Sequence, residues 1–243
     1  AIRNPDARRT QSVKELKRRM GIIVTGTPLV NKLLDLWSIT DFTNNKYLGS
    51  RSDFELHYQY SVDSAMELEE KISPILLRRE IVSVAKDLPD KIVIPQWITF
   101  SKDEELRYKE ILESTLADKP SFARLIYLRM FCCFPSLTVE NYDKPLGEFS
   151  KMIRLLEIIQ EVVDNSEKII VFTDFVGIVD MLFKEIPLKF GIYTNKIYGR
   201  TLNHERQKII DDFSSVDGSA CLLLNYKAAG VGLNIQAATH IVL

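Results

Sequence analysis

Residues Ala220 to Leu243 read ACLLLNYKAAGVGLNIQAATHIVL. The run Cys221-Leu222-Leu223-Leu224 is short, apolar and stopped by the polar pair Asn225-Tyr226, which predicts a buried strand. Small residues follow, Ala228-Ala229-Gly230-Val231-Gly232, then Leu233-Asn234 and a second apolar run from His240 to Leu243. Two glycines this close let a backbone turn sharply and lie against a bulky polyanion, because no Cβ stands in the way. A strand, a glycine loop and another strand is the order found in α/β proteins whose ligands sit at the carboxyl ends of parallel strands. Glycines that serve only to turn the chain would be spelled the same way, and composition leaves both readings open.

Upstream the same alternation continues. A helix over Phe149–Val163 is apolar at Met152, Leu155, Leu156, Ile159 and Val163. A strand Lys168–Phe172 then leads through Thr173-Asp174-Phe175 into a helix ending at Ile186. A strand near Ile192–Tyr198 and a helix Asn203–Phe213 complete the approach to Ala220. The first part of the chain reads differently. Thr10 is placed to cap a helix through Met20, Gly21 ends it, and Ile22-Ile23-Val24 reads as a short buried strand. Thr25-Gly26-Thr27-Pro28 is a turn, since proline cannot donate to a ladder and glycine accepts positive φ. Residues 31–73 read as helices interrupted around Asn44–Ser52. Ile92–Phe100 contains Pro95 and reads as an edge strand. Ser101 starts a helix through Leu112, with Asp103, Glu104 and Glu105 in its first turn, where they suit the helix dipole.

With 46% apolar and 27% charged residues in 243, the composition is that of a globular protein of one large domain or two small ones. No apolar run approaches the ~20 residues of a membrane helix, and the first residues lack a signal-peptide pattern. Three cysteines, two of them adjacent (Cys132, Cys133), make neither a disulfide framework nor a four-ligand zinc site. They are read as packing residues, as is His240, and the expected compartment is reducing and intracellular, cytoplasm in a bacterium or nucleus in a eukaryote. Net charge is −1, so any nucleic-acid contact must be local. One basic patch exists: Arg3, Arg8, Arg9, Lys14, Lys17, Arg18 and Arg19 stand against only Asp6 and Glu15, and a solvated helix face is the more ordinary reading of such a run.

Several stretches, in order, resemble the conserved blocks of the Swi/Snf (sucrose-nonfermenting) family of ATP-dependent DNA translocases, within superfamily two of the helicases. TGTPLVNKLLDLWSITDF is similar to its third motif, with Asn31 and Leu36-Trp37-Ser38 matching and Val30 standing where glutamine is frequent. Leu76-Leu77-Arg78-Arg79, Val84 and Leu88-Pro89-Asp90-Lys91 resemble the block that joins the two lobes. Leu125 to Pro135 resembles the family's LRQ-x-C-x-H-P helix end, with Phe134 in place of histidine. KIIVFTDF resembles the fourth motif, where Ser-Gln is usual in place of Thr173-Asp174, and Tyr198-Gly199-Arg200-Thr201 with Arg206 resembles a G-x-T…R segment. The opening stretch resembles the fifth motif, with Asn225-Tyr226 replacing the usual Ser-Thr.

The resemblance implies an α/β fold of RecA-like lobes with parallel sheets and helical protrusions, the first lobe incomplete. Residues 1–90 would be the end of lobe one with its protrusion and linker. Residues 91–147 would be a connecting strand and the protrusion of lobe two, and 148–243 the lobe-two core. It further implies ATP and Mg²⁺ as cofactors of the intact protein, with double-stranded DNA and DNA-bound protein as partners and no membrane. The implied roles are coupling for Thr25, Gly26, Thr27 and Asn31 and DNA contact for Arg78, Arg79, Thr173, Arg200, Lys227, Gly230 and Gly232. Asn234 would stand between DNA and nucleotide. A GxxxxGK[ST] loop, a DEAH box and the family's sixth motif are not in these residues, so the segment alone is expected not to hydrolyse ATP and to hold no metal. A RecA-like module that binds without turnover, or a subunit of an RNA-directed or restriction-type helicase, are the other readings.

Overall fold

The computed structural model describes residues 2–29, 32–58, 62–79, 84–88, 90–115, 120–138, 142, 144–229 and 233–243. The chain divides into two compact units, Ala1–Ile92 and Val93–Leu243. In the first unit lie helices α1 (Arg8–Lys14), α2 (Leu33–Thr43), α3 (Arg51–Tyr58) and α4 (Val62–Ile72). Leu36, Leu48, Phe54, Tyr58 and Leu68 form a small core between the last three. The expected interruption near residue 44 is a turn that ends on Gly49, at φ +78°, whose carbonyl accepts a hydrogen bond from the Trp37 indole at 3.3 Å.

Three expectations in this unit fail, the first being the helix through Met20 to Gly21, since α1 stops at Lys14. Thr10 does not cap a helix: α1 begins two residues earlier, at Arg8, and the Thr10 hydroxyl is buried inside it without a partner. Residues Ile22–Val24 form no strand, and Ile22 and Val24 are 76% and 96% exposed. A strand is defined by the ladder it joins, and every strand among the described residues belongs to the second unit. The basic patch is partly absorbed: Lys14 pairs with Asp41 at 2.8 Å, and Arg18 donates to the Phe42 carbonyl at 2.6 Å.

The second unit opens on Val93–Phe100, which joins no sheet, so the expected edge strand is absent here too, with Trp97 94% exposed. Helix α5 (Lys102–Glu110) follows, its N-terminus closed by a reciprocal capping box. The Glu104 N–H donates to the Ser101 hydroxyl at 3.2 Å and the Ser101 N–H to the Glu104 carboxylate at 2.9 Å. Helix α6 (Ser121–Cys133) carries Phe131 into a cluster with Ile111, Tyr108 and Phe100. Helix α7 (Ser150–Asp164) buries Met152, Leu155, Leu156, Ile159 and Val162, an i, i+3, i+4, i+7, i+10 stripe.

From there the unit is a parallel sheet of β1 (Lys168–Thr173), β2 (Tyr193–Ile197), β3 (Ala220–Asn225) and β4 (His240–Val242), in the order β2-β3-β1-β4. Strand β3 is buried at all six positions, as its continuous apolar run requires of a central parallel strand. Helix α8 (Val176–Phe190) packs with α7 on the face of Ile169, Val171, Cys221 and Leu223, while α9 (Asn203–Ser215) covers Ile170, Leu222 and Leu224 on the other. The crossovers β1→β2 and β2→β3 run in opposite directions along the sheet, and right-handed connections then place their helices on opposite faces.

Helix α8 runs past the expected end at Ile186, through Pro187, to Phe190. A proline in a helix loses its own N–H bond and crowds the carbonyl four residues back, but Pro187 sits in the last turn, Phe190 packs on the core, and Gly191, at φ +65°, closes the helix. His240 is not a packing residue: it is exposed and lies 3.1 Å from the Glu167 carboxylate. Cys133 does pack on the core. Burial pushes the Cys221 thiol up to about 12, which leaves it no thiolate chemistry near neutrality.

Candidate nucleic-acid interface

Strands β1 and β3 pair in register to their last residues, Thr173 opposite Asn225, and β2 ends at Ile197 opposite Leu224. Three carboxyl ends therefore lie side by side, at the spacing of roughly 5 Å between neighbouring strands. After β1 the chain leaves towards the α8 face. After β3 it leaves towards the α9 face, where Leu233, Ile235, Ala237 and Ala238 pack. Adjacent strands whose connections depart to opposite faces open a crevice beyond their carboxyl ends, the place where open α/β sheets bind ligands.

The edge of that crevice is built from residues of three strand ends. Thr173 closes β1, is buried, and its hydroxyl accepts the Phe175 N–H at 3.3 Å. Arg200 is exposed in the turn after β2, where Thr201 and Tyr198 bond each other twice, N–H to carbonyl at 3.0 Å and N–H to hydroxyl at 3.1 Å. Lys227 is exposed in α10 (Tyr226–Ala229), the single helical turn that follows β3 directly.

Asn225 ties these ends together. It is 4% exposed, and its side-chain amide donates to the carbonyls of Thr173 at 3.0 Å and Asp174 at 2.9 Å while its oxygen accepts the Lys227 N–H at 3.2 Å. One side chain thus holds both lips of the crevice. Beside it Tyr226 stacks on Phe172, centroids 5.0 Å apart and planes 28° apart, and burial together with the Asp174 charge raises its phenol above the ordinary value. Arg129, from α6, binds the Asp174 carboxylate.

Thr173, Arg200 and Lys227 are the expected contact residues that the structure gathers at one sheet edge. Asn234 is exposed on the following segment, between the inward-packed Leu233 and Ile235. Thr25, Gly26 and Thr27 are exposed in the first unit, in a turn where the Thr27 N–H donates to the Thr25 hydroxyl at 3.2 Å. Arg78 and Arg79 are exposed in the same unit, past α4. Asn31, Gly230 and Gly232 lie outside the described residues. The bridging role of Asn225 and the pairing of Arg129 with Asp174 were not read from the sequence. The one signal available was a polar side chain with two donors and an acceptor at the end of an all-apolar strand.

Residues 1–159 match the SNF2-related domain, and residues 150–243 match the helicase conserved C-terminal domain. The chain belongs to the SNF2-related family. An uncharacterized ATP-dependent helicase of Mycoplasma pneumoniae is 32% identical to this SNF2-related chain over 255 residues, covering 99% of the chain and 24% of that protein. The putative ATP-dependent helicase/translocase YwqA of Bacillus subtilis is 28% identical, covering 99% of the chain and 28% of that protein. The SWI2/SNF2 ATPase core domain of Sulfolobus solfataricus superposes with a TM-score of 0.55 at 30% identity, over 98% of this chain and 53% of that one. The parallel sheet with helices on both faces is thus a RecA-like SNF2 fold, and the chain spans about a quarter of the length of the curated relatives it matches.

Proposed function

We propose that this chain is part of an ATP-dependent translocase that tracks along double-stranded DNA and acts on DNA or DNA–protein complexes. The observation that carries the reading is the switch-point crevice, where Thr173 ends one of three adjacent strands and Lys227 and Arg200 follow the other two. Cations and a hydroxyl suit phosphate oxygens and carry no base code, so the proposed grip is positioning and sequence-independent. Gly230 and Gly232 would let the loop backbone approach the strand. Thr25, Gly26, Thr27 and Asn31 would couple the nucleotide site to the grip, Arg78 and Arg79 would face DNA or the other lobe, and Asn234 would relay between DNA and nucleotide.

ATP and Mg²⁺ do not fit the residues described. The sequence has no GxxxxGK[ST] loop, and the described residues contain no group of three His, Cys, Asp or Glu side chains set to hold a metal ion. Their binding belongs to the longer protein of which we take this chain to be a segment. The test is duplex binding by that full-length protein. Arg200→Ala and Lys227→Ala are each expected to weaken binding by a similar factor for unrelated sequences and to lower the slope of log affinity against log salt by about one. A loss confined to particular base sequences, or unchanged salt slopes, would contradict the phosphate grip.

A further inference from the structure

Asp174 is an acidic side chain at the edge proposed to meet a polyanion. It sits one residue beyond β1, and its carbonyl is bonded to the same Asn225 side chain that accepts the Lys227 N–H. The backbones of Asp174 and Lys227 are therefore only one asparagine side chain apart. A free carboxylate there would either repel an approaching phosphate or draw Lys227 into an ion pair. Neither arrangement occurs. Arg129, 45 residues earlier on α6, takes the Asp174 carboxylate, and among the described residues Lys227 is in no ion pair.

Stability does not account for this pairing. The side chains are 60% and 34% exposed, and such surface pairs contribute little to folding. We propose that Arg129 is a positioning residue of this edge: it neutralises Asp174 and holds it aside, keeping the Lys227 ammonium available to phosphate. The proposal rests on the reading of the edge as a DNA contact and adds to it a charge mask built from a different helix. Its effect is electrostatic at short range, so it fades as salt screens the edge.

The experiment is fluorescence anisotropy of a labelled duplex with the full-length protein at low and moderate salt, comparing wild type, Arg129→Gln, Asp174→Asn and the double variant. Arg129→Gln is expected to weaken binding about three- to tenfold at low salt, the scale of one unmasked charge near a phosphate. Asp174→Asn should bind at least as tightly as wild type, and the double variant should recover to that level, a rescue that a merely structural Arg129 would not give. Unchanged binding in Arg129→Gln overturns the mask. So does a double variant as weak as Arg129→Gln, which would make Arg129 itself the phosphate ligand. A wild-type protein without salt-dependent duplex binding overturns the DNA reading of the edge and the mask with it.

Discussion

At the scale of single residues, Asn225 carries more of the site than any cation near it. Its two N–H donors and its oxygen are all engaged with backbone groups of the two crevice lips. Leucine has the same shape and none of these bonds, so Asn225→Leu leaves two carbonyls and one N–H without their partner. The expected cost is about 2–4 kcal/mol, from bonds of about 1 kcal/mol each plus the desolvation of the groups left behind. It would be read as a lower urea midpoint at unchanged slope. A midpoint within error of wild type would show that water replaces the amide and that the lips are not held by it. Serine, usual in the family at this position, has one donor and could not reach both carbonyls at once. The two carbonyl partners of Asn225 are 52 and 51 residues away, and no local pattern announces them.

Among the elements, helix α5 is anchored in a way that makes a clear forecast. Glu104 is 2% exposed and accepts from the Ser101 N–H, the Ser150 N–H at 3.1 Å and the Ser150 hydroxyl, joining the first turns of α5 and α7. Burial alone would raise its carboxyl, but the hydrogen bonds from Ser150 and Ser101 outweigh it and hold it below the ordinary value. A depressed carboxyl stabilises above the unfolded value of about 4.3 and loses that contribution as pH falls through the folded value. Glu104→Gln should therefore be less stable than wild type at pH 7, and the gap should narrow in unfolding curves taken below about pH 4.3. A gap that is constant with pH would mean that the charge contributes nothing.

Legibility also divides by element. Strands β1 and β3 and helices α7 and α9 were readable because their burial is written in the local spacing of apolar residues. Ile22–Val24 and Ile92–Phe100 have the right side chains for strands, but a strand exists only where another backbone pairs with it, and that is a property of distant chain. The capping of α5 by Ser101 was legible in three residues. The false cap at Thr10 had the right residue type two positions inside the helix, and the chain past Lys14, with Leu16 and Met20 61% and 77% exposed, is not helical.

For the molecule as a whole, the sheet order and the SNF2-related family agree on a RecA-like lobe, and the proposed phosphate grip is an activity to be tested on it. If Gly232 lets the backbone approach DNA as proposed, a branched side chain there would block the approach, so Gly232→Val should abolish DNA stimulation of ATP hydrolysis while the protein still unfolds cooperatively. Normal stimulation in that variant would remove the loop from the grip. The most direct measurement is ATP hydrolysis by the full-length protein with and without double-stranded DNA, at low and moderate salt. A large stimulation by DNA that fades as salt rises is the expected result. No turnover under either condition, in a folded protein that still binds the duplex, would contradict a translocase and leave a RecA-like binding module.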